Sequence, residues 1–292
     1  MATARSMNAK DNKMNKTSKI SLVLSDVDGT ILTEAKVLTE RARKAVAALH
    51  DAGIKFAITS GRPPRGMSML FDPLELATPI AGFNGGQFVK RDFEILQQEK
   101  LSGAIARQAV DLIQKYGLDV WVFSGADWLV TRMDAPHVEK EVRAVKFAPR
   151  VVSDFADYLD DAAKIVALSD DFDRLQQCEA EAQALFGKDV SATCSQSYYL
   201  DITNKNANKG AVVDYLSQHL VVPAEEIITI GDGHNDVLMF KRSGFSVAMG
   251  NATDEVKSYA STVTASYNDE GFAKAMEAIM TGSIFQAEWL NR

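Results

Sequence analysis

Residues 20–30 read ISLVLSDVDGT, a short apolar segment that ends in two aspartates, Asp26 and Asp28. An apolar run of this length between polar neighbours predicts a buried β-strand. A helical pattern over residues 39–51 follows, Gly53 ends it, and a second apolar run covers residues 54–59. This alternation predicts the fold class α/β, with a Rossmann-like parallel sheet and helices on its faces.

The same alternation returns near the C-terminus, where strands are predicted at 226–230 and 245–249 and helices at 208–219, 235–241 and 270–280. Between the two parts, residues 118–123 and 128–133 read as a hairpin closed by Ser124-Gly125-Ala126-Asp127. We therefore predict an α+β domain, residues 88–199, inserted into an α/β domain formed by residues 18–87 and 200–292. Residues 1–17 are polar and are predicted to be disordered.

Charge and cysteine content limit the partners and the compartment. The 292 residues carry a formal net charge of -7, which argues against a broad surface for nucleic acid or for anionic membranes. Cys178 and Cys194 have no clustered Cys or His partners, so neither a disulfide framework nor a zinc site is expected. No apolar stretch reaches membrane-spanning length, and we expect a cytoplasmic protein with reduced cysteines.

The chain ends in a segment, from Gly282 onward, that carries Phe285 and Trp289. We expect this segment to pack against the α/β domain, with self-association through the same apolar side chains as the alternative. Both a monomer and a homodimer are compatible with the sequence.

A second acidic motif, GDGHND at residues 231–236, directly follows the strand predicted at 226–230. Open α/β sheets place ligands at the carboxyl ends of their strands, so Asp26, Asp28, Asp232 and Asp236 are predicted to converge there. Four neighbouring carboxylates need a counterion, and an oxygen-rich site without thiolates favours Mg²⁺. His234 within the motif is expected to point outward.

Two further motifs have the chemistry of phosphate binding. Ser60 and Gly61 follow the strand predicted at 54–59, where a hydroxyl and a backbone N–H are available to a phosphate oxygen. Lys209 opens the helix that follows the insertion and supplies a positive charge. Taken alone, each is also compatible with an ordinary turn or a solvated lysine.

The order of the motifs DVDGT, TSGR, NKG and GDGHND resembles the four motifs of the haloacid dehalogenase superfamily, over nearly the whole chain. The insertion lies between Asn84-Gly85-Gly86 and Lys209, and this position resembles the large cap of the Cof-like, subclass IIB phosphatases. Val27 and Ser60 stand where Leu and Thr are frequent in the family, and neither change removes a required functional group.

The resemblance implies a Mg²⁺-dependent phosphatase that hydrolyses a small phosphorylated metabolite, such as a sugar phosphate, through an aspartyl phosphate. It implies that Asp26 is the nucleophile and that Asp28 is the general acid and base. The phosphate would be bound by Ser60, Gly61, Lys209 and Asn235, and the metal by Asp26, Asp28, Asp232 and Asp236, with Asp28 contributing its backbone carbonyl.

Other functions remain compatible with these motifs. A phosphomutase of the phosphomannomutase type would use a sugar as acceptor instead of water. A non-catalytic phosphosugar sensor or a phospho-acceptor signalling domain would use the same pocket without hydrolysis. The sequence does not identify the leaving group, and its candidate contacts are Arg62, Arg65, Trp121, Trp128 and Tyr198.

Overall fold

The computed structural model describes residues 19–286. The segment predicted to be disordered, residues 1–17, and Trp289 lie outside the described residues. The strands are β1 (Leu22–Asp26), β2 (Lys55–Thr59), β3 (Ile80–Gly82), β4 (Gln87–Val89), β5 (Ile95–Gln98), β6 (Asp119–Ser124), β7 (Asp127–Val130), β8 (Arg150–Val151), β9 (Ala162–Leu168), β10 (Val190–Gln196), β11 (Tyr199–Asn204), β12 (Ile227–Gly231), β13 (Phe245–Ala248) and β14 (Thr262–Val263).

The α-helices of the described part are α1 (Glu40–Asp51), α2 (Gly103–Lys115), α3 (Val138–Val145), α4 (Phe172–Phe186), α5 (Lys209–Leu220), α6 (Val237–Arg242), α7 (Asp254–Ser258) and α8 (Gly271–Thr281). Several begin at a side-chain cap that the sequence makes recognisable. Thr39 accepts the backbone N–H of Ala42 at the start of α1, and Asn208 accepts that of Ala211 at the start of α5.

The larger sheet has the strand order β14-β13-β12-β1-β2-β3-β4-β5. The strands from β14 to β3 are parallel, and β4 and β5 extend the sheet as antiparallel strands. Helices α1 and α8 contribute to the apolar core on one face, and α5 and α6 to the core on the other. The predicted α/β class with a parallel sheet is confirmed.

The central position of β1 brings the motifs together. Asp26 is paired with Thr59 of β2, and its neighbour Ser25 is paired with Ile230 of β12. Since these parallel strands end at the same edge, DVDGT, TSGR and GDGHND meet there.

The smaller sheet has the order β10-β11-β9-β6-β7-β8 and is antiparallel except between β7 and β8. The predicted hairpin forms its β6–β7 pair, with Ser124 opposite Asp127 and Gly125 at a φ of 56°. Helices α2 and α4 pack on one face of this sheet. Helix α2 was not predicted from the sequence, although Ser102 caps it and its apolar residues are buried along one side.

The strand pairing divides the chain differently from the prediction. Residues 88–98 were assigned to the insertion, but β4 and β5 pair with the larger sheet. Residues 200–204 were assigned to the α/β domain, but β11 pairs with the smaller sheet. The alternation of apolar residues is the same for strands of either sheet, so the sequence did not reveal which sheet each strand joins. We therefore propose that the inserted unit extends from about Lys100 to Asn204.

Both cysteines and the beginning of the C-terminal segment lie within the described residues. Cys178 is buried and Cys194 half-buried, and both thiols are free. Ile284 is buried, and the Phe285 ring lies against Phe245 with centroids 5.0 Å apart, so the described beginning of the C-terminal segment packs on the larger sheet. None of the helices between residues 19 and 286 has the length and apolar character needed to span a membrane.

Candidate active site

Three aspartates gather at the carboxyl edge of the larger sheet. Carboxylate oxygens of Asp26, Asp232 and Asp236 all lie within 4.8 Å of one another. Asp26 ends β1, and the other two belong to the loop after β12. Mutual repulsion of buried carboxylates is relieved by a bound cation, and this set of oxygen donors fits a divalent metal ion. The Asp28 side chain, predicted to converge with them, has other partners.

Lys209 lies among these acids and is almost completely buried. Its Nζ donates to Asp26 Oδ1 at 2.5 Å and to Asp236 Oδ1 at 2.6 Å. Burial opposes its charge, but Asp236 and Asp26 outweigh that effect and raise the pKa of Lys209. Burial raises the pKa of Asp26 well above its usual value, although Lys209 acts against this rise. The lysine predicted for phosphate binding therefore also neutralises part of the acidic group.

Asp236 organises the loop that carries Asp232. Its Oδ2 accepts the backbone N–H groups of Asp232 and Gly233, each at 2.8 Å. A Cβ on Gly231 would lie 2.4 Å from Asp236 Cγ, so glycine is needed for this close approach. With Lys209 on its other oxygen, Asp236 is held by three donors and acts mainly to orient the site.

Asp232 is the more accessible acid of the group. Thr30 donates to its Oδ1 at 3.2 Å, and Asn251 Nδ2 donates to its Oδ2 at 3.1 Å. Burial and the nearby Asp236 raise the pKa of Asp232 to about 6. Gly29, at a φ of 80°, lies so close that a Cβ there would meet Asp232 Oδ2 at 2.3 Å.

Thr30 and Asn251 were not among the predicted site residues. Thr30 belongs to DVDGT, and Asn251 follows β13 by three residues at the same edge of the sheet. The strand-end rule was therefore the signal that could have found Asn251.

Asp28 is bound by two cationic side chains. Arg62 Nε donates to Oδ2 at 2.6 Å, Arg62 Nη2 donates to Oδ1 at 2.7 Å, and Lys36 Nζ donates to Oδ1 at 2.8 Å. Burial acts to raise the pKa of Asp28, but these bonds outweigh it and leave the pKa below its usual value. Arg62, a predicted candidate for contact with the leaving group, is thus committed to Asp28. Lys36 lies in a turn that gave no sequence signal.

The predicted phosphate-binding residues lie beside Asp26. Ser60 is buried, and Ser60, Gly61 and Asn235 all line the same cleft as Asp26 and Asp28. Asn235 Nδ2 donates to Asn84 Oδ1 at 3.0 Å, and Asn84 adopts a left-handed φ of 57°. Asn84 was quoted only as the start of the insertion, but it also lines the cleft. His234 points outward, as predicted, with 63% of its side chain exposed.

This cleft, of about 540 Å³, separates the sheet edge from the inserted unit. On the side of the cleft formed by the inserted unit, Lys164 Nζ lies 2.6 Å from Asp201 Oδ1. The two groups form an ion pair, but their angles do not meet the geometry of a hydrogen bond. Tyr199 beside them is buried, and burial raises the pKa of its phenol well above the usual value. The inserted unit thus faces the acids with a mixed, nearly neutral set of polar groups.

The other candidates for leaving-group contact have different positions. Trp121 and Trp128 pack together, ring centroids 4.8 Å apart, in the aromatic core of the inserted unit and do not line the cleft. Their size and apolar surface favoured the core, as for most buried tryptophans. The Arg65 guanidinium lies over the Phe147 ring at 5.0 Å, outside the cleft. Tyr198 does line it.

The sequence and the fold are similar to those of known proteins. Residues 23–276 match the family model of the haloacid dehalogenase-like hydrolases. A Bacillus subtilis protein named 5-amino-6-(5-phospho-D-ribitylamino)uracil phosphatase YwtE is 25% identical, over 88% of this chain and 97% of its own. The crystal structure of a haloacid dehalogenase-like hydrolase from Bacteroides thetaiotaomicron has a TM-score of 0.82 and 28% identity, and covers 89% of this chain and 100% of its own.

A solved structure described as a subclass IIB sugar phosphatase of the same superfamily shares the fold, with a TM-score of 0.76 and 22% identity over 89% of this chain and 99% of its own. The family-model match covers most of the chain, and the motifs that suggested the family lie together at one sheet edge. The chain therefore belongs to the haloacid dehalogenase-like hydrolases, in their Cof-like family, and is a phosphatase of that family.

Proposed function

We propose that this phosphatase hydrolyses a small phosphorylated metabolite in two steps, with Asp26 as the phosphoryl acceptor. The observation that carries this proposal is the position of Asp26: it ends the central strand, contacts Lys209, and faces a cleft that Asp28 also lines. A carboxylate acceptor divides one difficult displacement into two easier ones.

In the first step, one oxygen of Asp26 attacks phosphorus, and the bond between phosphorus and the leaving oxygen breaks. Asp28 enters this step protonated, against the preference of Arg62 and Lys36 for its charged form in the free enzyme, and gives its proton to that oxygen, so the alcohol leaves neutral. In the second step, water attacks the aspartyl phosphate, Asp28 takes its proton, and inorganic phosphate is released. Ser60 and Lys209 contact the phosphoryl oxygens, where charge stabilisation contributes most to phosphoryl transfer.

We propose Mg²⁺ as the cofactor, held by Asp26 and Asp232 together with the backbone carbonyl of Asp28. When bound, Mg²⁺ would neutralise the phosphoryl oxygens and the clustered carboxylates. The support is the grouping of three carboxylates within 4.8 Å and the raised pKa values of Asp26 and Asp232, because such a group favours a bound cation. Asp236 and Asn235 orient this site from the loop after β12.

We propose a hydroxyl-rich leaving group, such as a sugar or an alditol. A second cavity adjoins the cleft under the inserted unit, and Lys164 and Asp201 line both. Ser191, Thr193 and Ser195 of β10 also line the second cavity. These donors and acceptors suit hydroxyl groups, and the paired charges of Lys164 and Asp201 leave little net attraction for a second phosphate. The free thiols Cys178 and Cys194 are compatible with a cytoplasmic enzyme.

Phosphate release from a panel of substrates tests the proposal. The panel comprises ribose 5-phosphate, glucose 6-phosphate, a hexose bisphosphate and 5-amino-6-(5-phospho-D-ribitylamino)uracil, the last because a relative is named for it. We expect Mg²⁺-dependent release from monophosphates, abolished by Asp26→Asn. Transfer to a second sugar without release of inorganic phosphate would instead indicate a phosphomutase, and unchanged turnover in Asp26→Asn would refute the assigned acceptor.

A further inference from the structure

Arg62 connects the acid–base carboxylate to the inserted unit. Its side chain is only 9% exposed, and one edge of the guanidinium binds both oxygens of Asp28, at 2.6 and 2.7 Å. The remaining nitrogen, Nη1, donates to the carbonyl oxygen of Ala144 at 2.8 Å and to that of Gly66 at 3.2 Å. Ala144 belongs to α3 of the inserted unit, whereas Gly66 belongs to the α/β domain. One planar group therefore contacts Asp28, the α/β domain and the inserted unit.

The geometry of these bonds makes the connection rigid. A guanidinium is planar, so the two bonds to Asp28 also fix the direction of Nη1, and the bond to the Ala144 carbonyl in turn helps to hold the plane of the group that binds Asp28. The Ala144 carbonyl lies in the last turn of α3, where carbonyl groups lack partners within the helix. Arg62 supplies that partner only while α3 is seated over the sheet edge.

The three hydrogen bonds that Arg62 and Lys36 donate to Asp28, here called the clamp, are compatible with a reactive Asp28. A carboxylate offers about four lone-pair sites. Arg62 and Lys36 use three of them: two on Oδ1 and one on Oδ2. A site on Oδ2 is left for a proton or a water molecule, so the clamp fixes the direction of Asp28 without blocking it.

We propose that Arg62 is a positioning residue that couples the seating of α3 on the α/β domain to the orientation of Asp28. The catalytic part of this inference rests on the proposed acid–base function of Asp28, whereas the structural part rests on the contacts alone. Opening of the inserted unit would release Arg62 from Ala144 and loosen Asp28. The proton-transfer group would then be correctly oriented only when the cleft is closed.

The kinetic test compares phenyl phosphate with p-nitrophenyl phosphate, two esters of similar size whose leaving oxygens differ in their need for a proton. Arg62→Met should lower kcat/KM for phenyl phosphate about tenfold or more beyond its effect on p-nitrophenyl phosphate, a part of the ~10²–10⁴ that general acid catalysis supplies. This ratio reports the first step alone, whereas kcat also includes hydrolysis of the phosphoenzyme, which needs Asp28 for both esters. Arg62→Lys keeps the charge but cannot bind both oxygens of Asp28 and the Ala144 carbonyl at once. It should therefore restore only part of the activity that Arg62→Met loses on phenyl phosphate.

A double mutant separates positioning from general damage. In an Asp28→Asn background, Arg62→Met should have little further effect, because the group that it orients is already gone. The matched control is Arg65→Met, which removes another arginine that contacts the inserted unit, through Phe147, but does not reach Asp28. Equal losses of kcat/KM on both esters for Arg62→Met, or an undiminished effect in the Asp28→Asn background, would overturn the proposal.

Hydrogen exchange of the α3 amides tests the coupling without any assay of activity. Coupling is reciprocal, so both Arg62→Met and Asp28→Asn should accelerate exchange in α3, by about fivefold or more, although the hydrogen bonds of Asp28 lead to α3 only through Arg62. Arg41→Met, which breaks a remote surface pair with Glu277, should leave it unchanged. If only Arg62→Met accelerates exchange, the coupling is refuted. If Asp28→Asn keeps wild-type rates on both esters, the proposed function is wrong, and exchange alone decides the coupling.

Discussion

Replacement of Lys209 by methionine should strongly destabilise the α/β domain. Lys209 and its two partners, Asp26 and Asp236, are all at most 7% exposed in their side chains. Methionine fills a similar volume but leaves two buried carboxylates without their counterion. Removing one partner of a buried ion pair costs about 3–5 kcal/mol. Since protonation of one carboxylate relieves part of this cost, we use the lower end of that range.

The expected effect is a fall in the melting temperature on the order of 10 °C, from about 3 kcal/mol and ~2–4 °C per kcal/mol for a chain of this size. The matched control is Arg41→Met. Arg41 also makes a two-bond contact with a carboxylate, Glu277, but both side chains are nearly half exposed. An exposed pair contributes about 0–1 kcal/mol, so the control should shift the melting temperature by less than about 4 °C.

The assay is thermal unfolding of both variants at neutral pH, with and without Mg²⁺. Added Mg²⁺ should recover part of the loss in Lys209→Met, because the cation replaces the missing positive charge, and it should not alter the effect of Arg41→Met. Equal melting temperatures for the two metal-free variants would refute the electrostatic function assigned to Lys209.

Two further predictions concern the metal site and the inserted unit. In the metal-free protein, Asp232 has a pKa raised from 3.8 to about 6. Its contribution to stability is therefore complete below pH 3.8 and is lost as the pH rises through about 6. The rise in melting temperature caused by Mg²⁺ should accordingly be larger at pH 7.5 than at pH 5, as differential scanning calorimetry would detect, and Asp232→Ala should remove this rise more fully than Asn235→Ala. An equal rise at both pH values would contradict the assignment. Replacement of residues 100–204 by a short linker should reduce turnover of the best sugar phosphate far more than turnover of p-nitrophenyl phosphate, as phosphate release would show. Equal losses in a variant with intact secondary structure would mean that the inserted unit does not select the substrate.

The sequence was most informative where a residue type is tied to a strand end. Asp26, Ser60 and Asp232 each follow a short apolar run, and parallel pairing in the order β12-β1-β2 necessarily brings those ends together. The hairpin at Gly125 was equally predictable from the sequence, because a two-residue turn needs residues that tolerate a positive φ.

The sequence was least informative where an assignment depends on long-range pairing. Strands β4 and β5 have unremarkable composition, and only their hydrogen bonds to β3 place them in the larger sheet. Arg62 was considered for the leaving group because a positive charge near a phosphate site suggests contact with the substrate. Its actual partner, Asp28, is 34 residues away, and its contact with Ala144 depends on how the inserted unit is seated. Neither of these long-range contacts can be predicted from a local sequence pattern.

The most direct test of the central claim is to locate the phosphoryl group on the enzyme during turnover. The Asp28→Asn variant with p-nitrophenyl phosphate and Mg²⁺ should accumulate the intermediate, because the activated leaving group needs no acid while hydrolysis lacks its base. Acid quenching followed by peptide mass spectrometry should find one phosphoryl group on the peptide that contains Asp26. Phosphorylation of any other residue, or its persistence at full yield in an Asp26→Asn, Asp28→Asn double variant, would contradict the mechanism.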